Sequence, residues 1–393
     1  MSRGWAVTFA AMVALGIIFG TSYSFGAFFA VLSETFQAQR ADISLMFGLS
    51  GFLYFIAGAA GGIAAVRFGP RIVSSCGMVT LGLGAMLASR AETIHEIYWS
   101  YGLGIGFGVA LVYTPVMGAV PPWFTTRRSL ASGIASAGIG LGTLLIPPLV
   151  SFGISALQWR ETMFYLGLGA MLLGLLATSQ ISMPQQNTSM PQSVSGLSLA
   201  QAIRSRAFWL LFGICAVAGP SLFFPFAHVI QFARDQGVAE VQAVSTIGFI
   251  GLGSIGGRFL IGFFADRYGR LVTMGASNAM LACSLLIWFL DPGWLGLATF
   301  ALWFGLAYGS VVALFPPICM DFFGARAVTG ILGLVYSGAG LGNLLGPVGA
   351  GALFDRYGNY HLAVTIAVFC AFIAVMLCFL LARWQLDTKP VMY

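Results

Sequence analysis

Arg258 is the one charged residue that no loop of this chain can claim. It stands in the apolar run 240–264, eight residues before Asp266, or about 12 Å from the nearer end of a helix rising 1.5 Å per residue. Glu240 lies eighteen residues away in the other direction, about 27 Å. An arginine at that depth in lipid costs on the order of 3 kcal/mol, so it must face water, a partner or a ligand. No Asp or Glu occupies the interior of any comparable apolar run. A planar fork of five N–H donors with no acid partner is suited to a carboxylate held by two parallel hydrogen bonds. The competing assignment is an arginine satisfied by backbone carbonyls and water between helices. His228, twenty-two residues after Arg206 and near the end of another apolar run, is the second candidate. It either titrates near neutral pH or hydrogen-bonds across helices.

Other chemistries are missing. The apolar runs contain no nucleophile–base pair, no His/Asp cluster and no phosphate loop, so an enzyme is not expected. Six cysteines (Cys76, Cys215, Cys283, Cys319, Cys370 and Cys378) are scattered without a CxxC pair, which argues against a disulfide scaffold or a metal centre. No cofactor is expected. The 18 basic residues form no patch, so no nucleic-acid partner is expected either.

The elements that must position Arg258 follow from composition. Of 393 residues, 59% are hydrophobic and only 8% charged, whereas soluble domains carry about 25% charged residues. The remaining class is a polytopic membrane protein. A bilayer core of ~30 Å takes about 20 apolar residues per helix, and twelve spans satisfy it. They are 5–34, 42–66, 71–89, 94–121, 128–156 and 162–182, then 206–233, 240–264, 271–290, 293–320, 327–354 and 360–383. The first is too long, and too directly followed by the second, for a cleavable signal. Long continuous runs also exclude a β-barrel.

Loop charges set the orientation. With the N-terminus inside, the inner segments hold twelve cations (Arg3, Arg67, Arg71, Arg127, Arg128, Arg204, Arg206, Arg267, Arg270, Arg326, Arg383 and Lys389) and three acids, a net +9. The outer loops hold five arginines and nine acids, a net −4, and Arg258 completes the +6 of the chain. Both termini are therefore expected in the cytoplasm. The Asn187-Thr188-Ser189 sequon falls on this inner side, where it is not glycosylated.

The chain repeats itself at an offset of 200 residues. Gly48, Gly51, Gly62 and Gly69 map onto Gly248, Gly251, Gly262 and Gly269, and Arg67 onto Arg267. The block Gly140-Leu141-Gly142-Thr143-Leu144-Leu145-Ile146-Pro147 returns as Gly340-Leu341-Gly342-Asn343-Leu344-Leu345-Gly346-Pro347. Two parallel repeats around an axis along the membrane normal are a transporter plan. The division is a six-helix bundle at 1–182, a polar cytoplasmic linker at 183–205 and a second bundle with a short tail at 206–393.

Six plus six helices, a central linker and the run Gly262-Phe263-Phe264-Ala265-Asp266-Arg267-Tyr268-Gly269-Arg270 resemble the major facilitator superfamily. In that family this loop helps to lock the cytoplasmic side, which implies a gate at Asp266, Arg267 and Arg270, with Arg67 in the first half. There Val66 replaces the acid. A narrower resemblance, to the monocarboxylate transporters and especially their bacterial members, rests on the stretch from Trp123-Phe124-Thr125-Thr126-Arg127-Arg128 to Gly138, on Pro225-Phe226-Ala227-His228 and on Gly257-Arg258. The acidic start of the first span is missing, and Ser254 stands one turn before Arg258 where animal members have Asp. The related oxalate–formate antiporters carry a second cation in helix eleven, which this chain lacks.

The resemblance implies an all-α major facilitator fold of two pseudo-symmetric six-helix bundles in a bacterial inner membrane. It implies carboxylate contacts from Tyr23 with Thr21 and Ser22, Tyr113 with Thr114, Tyr308, and Tyr336 with Ser337, beside Arg258. Tyrosine hydroxyls complete the lone pairs of a carboxylate while their rings wall the site. The chain is expected to act as a monomer that binds lipid, a small carboxylate and protons. The substrate is a small monocarboxylate moved by alternating access, or else the chain exchanges anions or expels another small organic compound. Moving a lone anion inward opposes ~2.3 kcal/mol per 100 mV of inside-negative potential, so transport is expected to be proton-linked. His228 is the proton-coupling candidate, with activity rising as outside pH falls through about 6.5.

Overall fold

The computed structural model describes residues 3–124, 127–184, 196–290, 292–324 and 327–388, leaving aside the side chains of Arg128, Ser129, Val328, Thr329 and 386–388. The sequon at Asn187 and the charges assigned to Asp291, Arg326 and Lys389 lie outside the described residues. The described chain is almost entirely helical, and strand pairing among the described residues is limited to one bridge, Gly196 with Gly324.

Helices α1 (Arg3–Phe36), α2 (Arg40–Phe68), α3 (Pro70–Ala88) and α4 (Ile94–Trp123) come first. The spans expected at 128–156 and 162–182 form one helical rod, Arg128–Ser179, broken at Gln158 by a φ of 68° that no right-handed helix accommodates. At 1.5 Å per residue the rod would reach about 75 Å, more than twice a bilayer core, so it makes two crossings. They are α5 (128–157) and α6 (159–179). After a one-turn helix, Leu199–Ile203, capped by Ser198, come α7 (Arg206–Asp235), α8 (Glu240–Tyr268), α9 (Arg270–Leu290) and α10 (Gly293–Phe323). Helices α11 (Val328–Tyr357) and α12 (His361–Thr388) complete the twelve. The fold is the expected all-α membrane architecture of two six-helix bundles.

Small residues set the packing. Gly16 of α1 meets the backbone of Gly138 and Gly142 on α5, and any side chain at Gly142 would enter the Gly16 carbonyl. Such close approach replaces hydrophobic drive inside lipid. Where the bundles meet, the 200-residue repeat reappears in space. Gly48 of α2 packs on Leu344 of α11, and Gly248 of α8 packs on Leu144 of α5. Gly51 meets Asn343, and Gly251 meets Thr143. Large apolar side chains such as Leu149, Phe152, Leu176 and Phe369 remain exposed on the long helices, as a lipid-facing surface requires.

One end of the bundle carries Arg67, Arg71, Arg204, Arg267 and Arg270, and is called the basic end. The other carries Glu34, Asp42, Glu92, Asp235, Glu240 and Asp355, and is called the acidic end. Gly69 and Gly269, at φ 85° and 88°, turn the chain at repeat-related places of the basic end, between α2 and α3 and between α8 and α9. The positive φ needed there is open to glycine at no steric cost.

Candidate functional site

Arg258 is buried on α8, two turns from Gly251, where α8 crosses α5. Its Nη1 donates to the Ser254 hydroxyl and, at 3.3 Å, to the Ser254 carbonyl one turn away. Its Nη2 is buried without any hydrogen-bond partner. Arg258 forms no ion pair among the described residues. Half of the guanidinium is thus anchored and half is unsatisfied. An orphaned charged donor in a dry interior calls for an acceptor, and a carboxylate supplies two.

The guanidinium carbon lies 5.8 Å from the centroid of the Tyr308 ring on α10. The Tyr308 hydroxyl meets that of Tyr23, on α1, at 2.7 Å. Tyr23 stacks on Phe226 of α7 with centroids 4.2 Å apart, and Phe226 meets Tyr308 edge-on at 5.0 Å. Arg258, Tyr308 and Tyr23 therefore come together from three helices, as expected. Tyr113 of α4 joins through Phe19, which also touches Tyr23 and Tyr54. Tyr336 of α11 lies farther along the wall against Phe55 and Phe315, its hydroxyl buried and unpartnered. Thr21 and Ser22 also bury hydroxyls without partners. Ser337 donates to the Leu334 carbonyl of its own helix at 2.7 Å. Phe19, Tyr54, Phe55 and Phe226 were not anticipated; within runs so rich in phenylalanine, only Pro225-Phe226 carried a signal.

His228 is fully buried two residues beyond Phe226 and faces elsewhere. Its Nε2 lies 2.9 Å from the Pro347 carbonyl and 3.1 Å from Ser44 Oγ, and its Nδ1 lies 3.0 Å from the Tyr360 hydroxyl. A carbonyl only accepts, so Nε2 carries the proton and Nδ1 accepts from Tyr360. The Tyr360 oxygen in turn accepts from Arg40 Nη1 at 2.6 Å. The cross-helix hydrogen-bonding alternative describes this ring.

At the basic end, Arg270 pairs with Asp321 and reaches the Pro317 carbonyl at 3.3 Å, both on α10 of the same bundle. Asp266, Arg267 and Arg67 are exposed, the two arginines lying over the neighbouring Tyr268 and Phe68 rings. Val66 is 90% exposed, so the missing acid left no packed substitute.

Residues 10–347 match the family described as the Major Facilitator Superfamily. The chain belongs to that superfamily. Within it the chain is 30% identical over 376 residues to monocarboxylate transporter 11 of Homo sapiens, covering 91% of this chain and 78% of that protein. It is 26% identical over 369 residues to monocarboxylate transporter 13 of Bos taurus, covering 93% and 86%. A crystal structure of a bacterial homologue of the human lysosomal transporter Spinster, inward-facing and unoccupied, matches with a TM-score of 0.76 at 16% identity and covers all of both chains. That likeness is one of fold. This superfamily member is a multi-pass membrane transporter related to the monocarboxylate transporters, and not an enzyme.

Proposed function

We propose that the chain carries a small monocarboxylate across a bacterial inner membrane by alternating access, with the carboxylate held on Arg258. The observation that supports it is the geometry of the guanidinium: Nη1 is anchored on Ser254, while Nη2 is buried and unpartnered beside the Tyr308–Tyr23 hydroxyls. The cargo's apolar part rests against Phe226, Phe19 and Tyr113. The acidic end faces outward and both termini lie inside, in keeping with the charge distribution. The bundles 1–182 and 206–393 rock about the site, joined by the linker 183–205. Electroneutral uptake then needs a proton, for which His228 is the side chain available. A second reading, anion exchange, is favoured by the engagement of both His228 nitrogens by Tyr360, Pro347 and Ser44.

The test is uptake and binding of a panel of carboxylates, with their amides and esters as controls. Arg258→Ala and Arg258→Lys should both insert normally and both lose about 100-fold in affinity, since an ammonium cannot reproduce the fork. Wild-type affinity in Arg258→Ala would place the cargo elsewhere.

A further inference from the structure

The two bundles are fastened at the acidic end by contacts that converge on one residue. Arg40, the first residue of α2, holds Asp235 of α7 through two parallel bonds of 2.7 and 2.8 Å. Its guanidinium also covers the Phe354 ring, 3.6 Å from the centroid, and donates to Tyr360. The backbone N–H groups of Arg40 and Ala41 donate to Asp355 at 3.0 and 2.9 Å, putting a carboxylate on the N-terminus of α2. Tyr360 passes the connection to His228, and His228 passes it to Pro347. One helix of the first bundle is thus tied to α7, α11 and the α11–α12 turn of the second. At the repeat-related position Glu240 pairs instead with Arg234, inside its own bundle.

The same two helices, α2 and α11, also press an unsatisfied polar group between them. Asn343, twelve residues or about 18 Å inward of Asp355 along α11, is fully buried against Gly51, and neither its Oδ1 nor its Nδ2 has a hydrogen-bond partner among the described residues. Its repeat partner Thr143, against Gly251, donates to its own helix at the Ile139 carbonyl, 2.8 Å away. A buried amide without partners destabilises the packed arrangement and gains water when the helices part. The α2–α11 seam therefore contains one element that holds, at the acidic end, and one that pushes, at mid-membrane depth.

We propose that Arg40 is the latch and Asn343 the spring of a gate at the acidic end, set against each other so that neither the open nor the closed state dominates. The proposal rests on alternating access but not on the identity of the cargo. It is tested without substrate, by labelling a single cysteine, Leu344→Cys, at the α2–α11 crossing of an otherwise cysteine-free chain. A membrane-impermeant maleimide is applied to intact cells and, separately, to inside-out vesicles, so that the face from which the label arrives reads the orientation independently.

Arg40→Gln should raise the labelling rate about tenfold, and Arg40→Lys, which keeps the charge but not the fork, by less. Asn343→Thr, copying the self-satisfied Thr143, should lower the rate below that of the parent, and the double variant should fall between the singles. Monodisperse elution of each variant checks its fold, and Arg40→Lys serves if Arg40→Gln fails that check. An unchanged rate in a folded Arg40 variant, or a raised rate in Asn343→Thr, overturns the gate. Weaker carboxylate binding by Asn343→Thr at an unchanged labelling rate makes the amide a cargo contact and overturns the spring.

Discussion

The two ends of this transporter use their charges in opposite ways. At the acidic end Arg40 reaches across the bundle boundary to Asp235, Tyr360 and Asp355. At the basic end the contacts of Arg71 on the Ile181 carbonyl, Trp123 on the Ser182 carbonyl and Arg270 on Asp321 each stay within a bundle, while the linker's Leu197 N–H donates to the Phe323 carbonyl. Small residues approach across the boundary there, as Gly333 of α11 does against Ala59 of α2. Ion pairs hold well where their geometry is fixed but part at little cost once water enters. Shape contacts between small residues tolerate sliding. A carrier fastened by charge at one end and by shape at the other has a natural asymmetry between its two openings.

The largest expected effect comes from stopping the acidic end from closing. A Cβ at Gly51 would overlap the Asn343 amide, so Gly51→Ala should lower uptake by more than about tenfold, through loss of the closed state. Shortening the opposing side chain in Gly51→Ala/Asn343→Ala should restore most of it. Failure of that rescue, with both proteins folded, would break the link between closure and this crossing.

A smaller effect should follow the chain of bonds inward. For His228 to take a proton on Nδ1 the Tyr360 hydroxyl must turn its own proton away from the ring, and that hydroxyl's oxygen is also held by Arg40. Of the other groups packed on the ring, Ser44 of α2 and Pro347 of α11 meet Nε2, and Phe29 of α1 and Phe224 of α7 are apolar. Protonation therefore belongs to the unfastened state, and acid outside should speed both uptake and Leu344→Cys labelling. His228→Gln should flatten both profiles while leaving exchange at constant pH intact. A normal profile in His228→Gln would move the proton elsewhere.

The smallest effects belong at the basic end. Arg270→Gln removes a half-exposed pair worth at most about 1 kcal/mol, seen as a drop of a few degrees in melting temperature with unchanged labelling at the acidic end. Asp266→Asn, at an exposed position without an ion pair among the described residues, should slow turnover by less than about twofold. A larger effect would show that the basic end carries a charge lock in another state of the cycle.

Arg258 was legible because a single charge in an apolar run has nowhere else to go, and Tyr308 and Tyr23 because the family pattern pointed to them. The gate at Arg40 was not. Its members stand 195 to 320 residues apart in sequence, and each charged one alone looks like an ordinary loop charge counted toward orientation. Only the packing of α2 on α11 brings them together. The twelve crossings were read from length, but several of their ends were placed short: α8 runs to Tyr268 rather than 264, because glycine at 269 is what ends the helix. The break at Gln158 falls in the loop expected between spans 128–156 and 162–182, although glutamine itself has no preference for positive φ.

The Tyr23–Tyr308 bond ties α1 to α10, and so one half of the protein to the other, in the middle of the membrane. One phenol donates to the other, and the accepting hydroxyl still has a proton to give. Under the proposed function, an anion arriving at Arg258 would offer these hydroxyls a stronger acceptor and so loosen the halves from one another. Reorientation would then be faster with cargo bound than empty, which favours exchange over net uptake. Tyr308→Phe or Tyr23→Phe should be felt first as faster reorientation of the empty protein, before any loss of affinity.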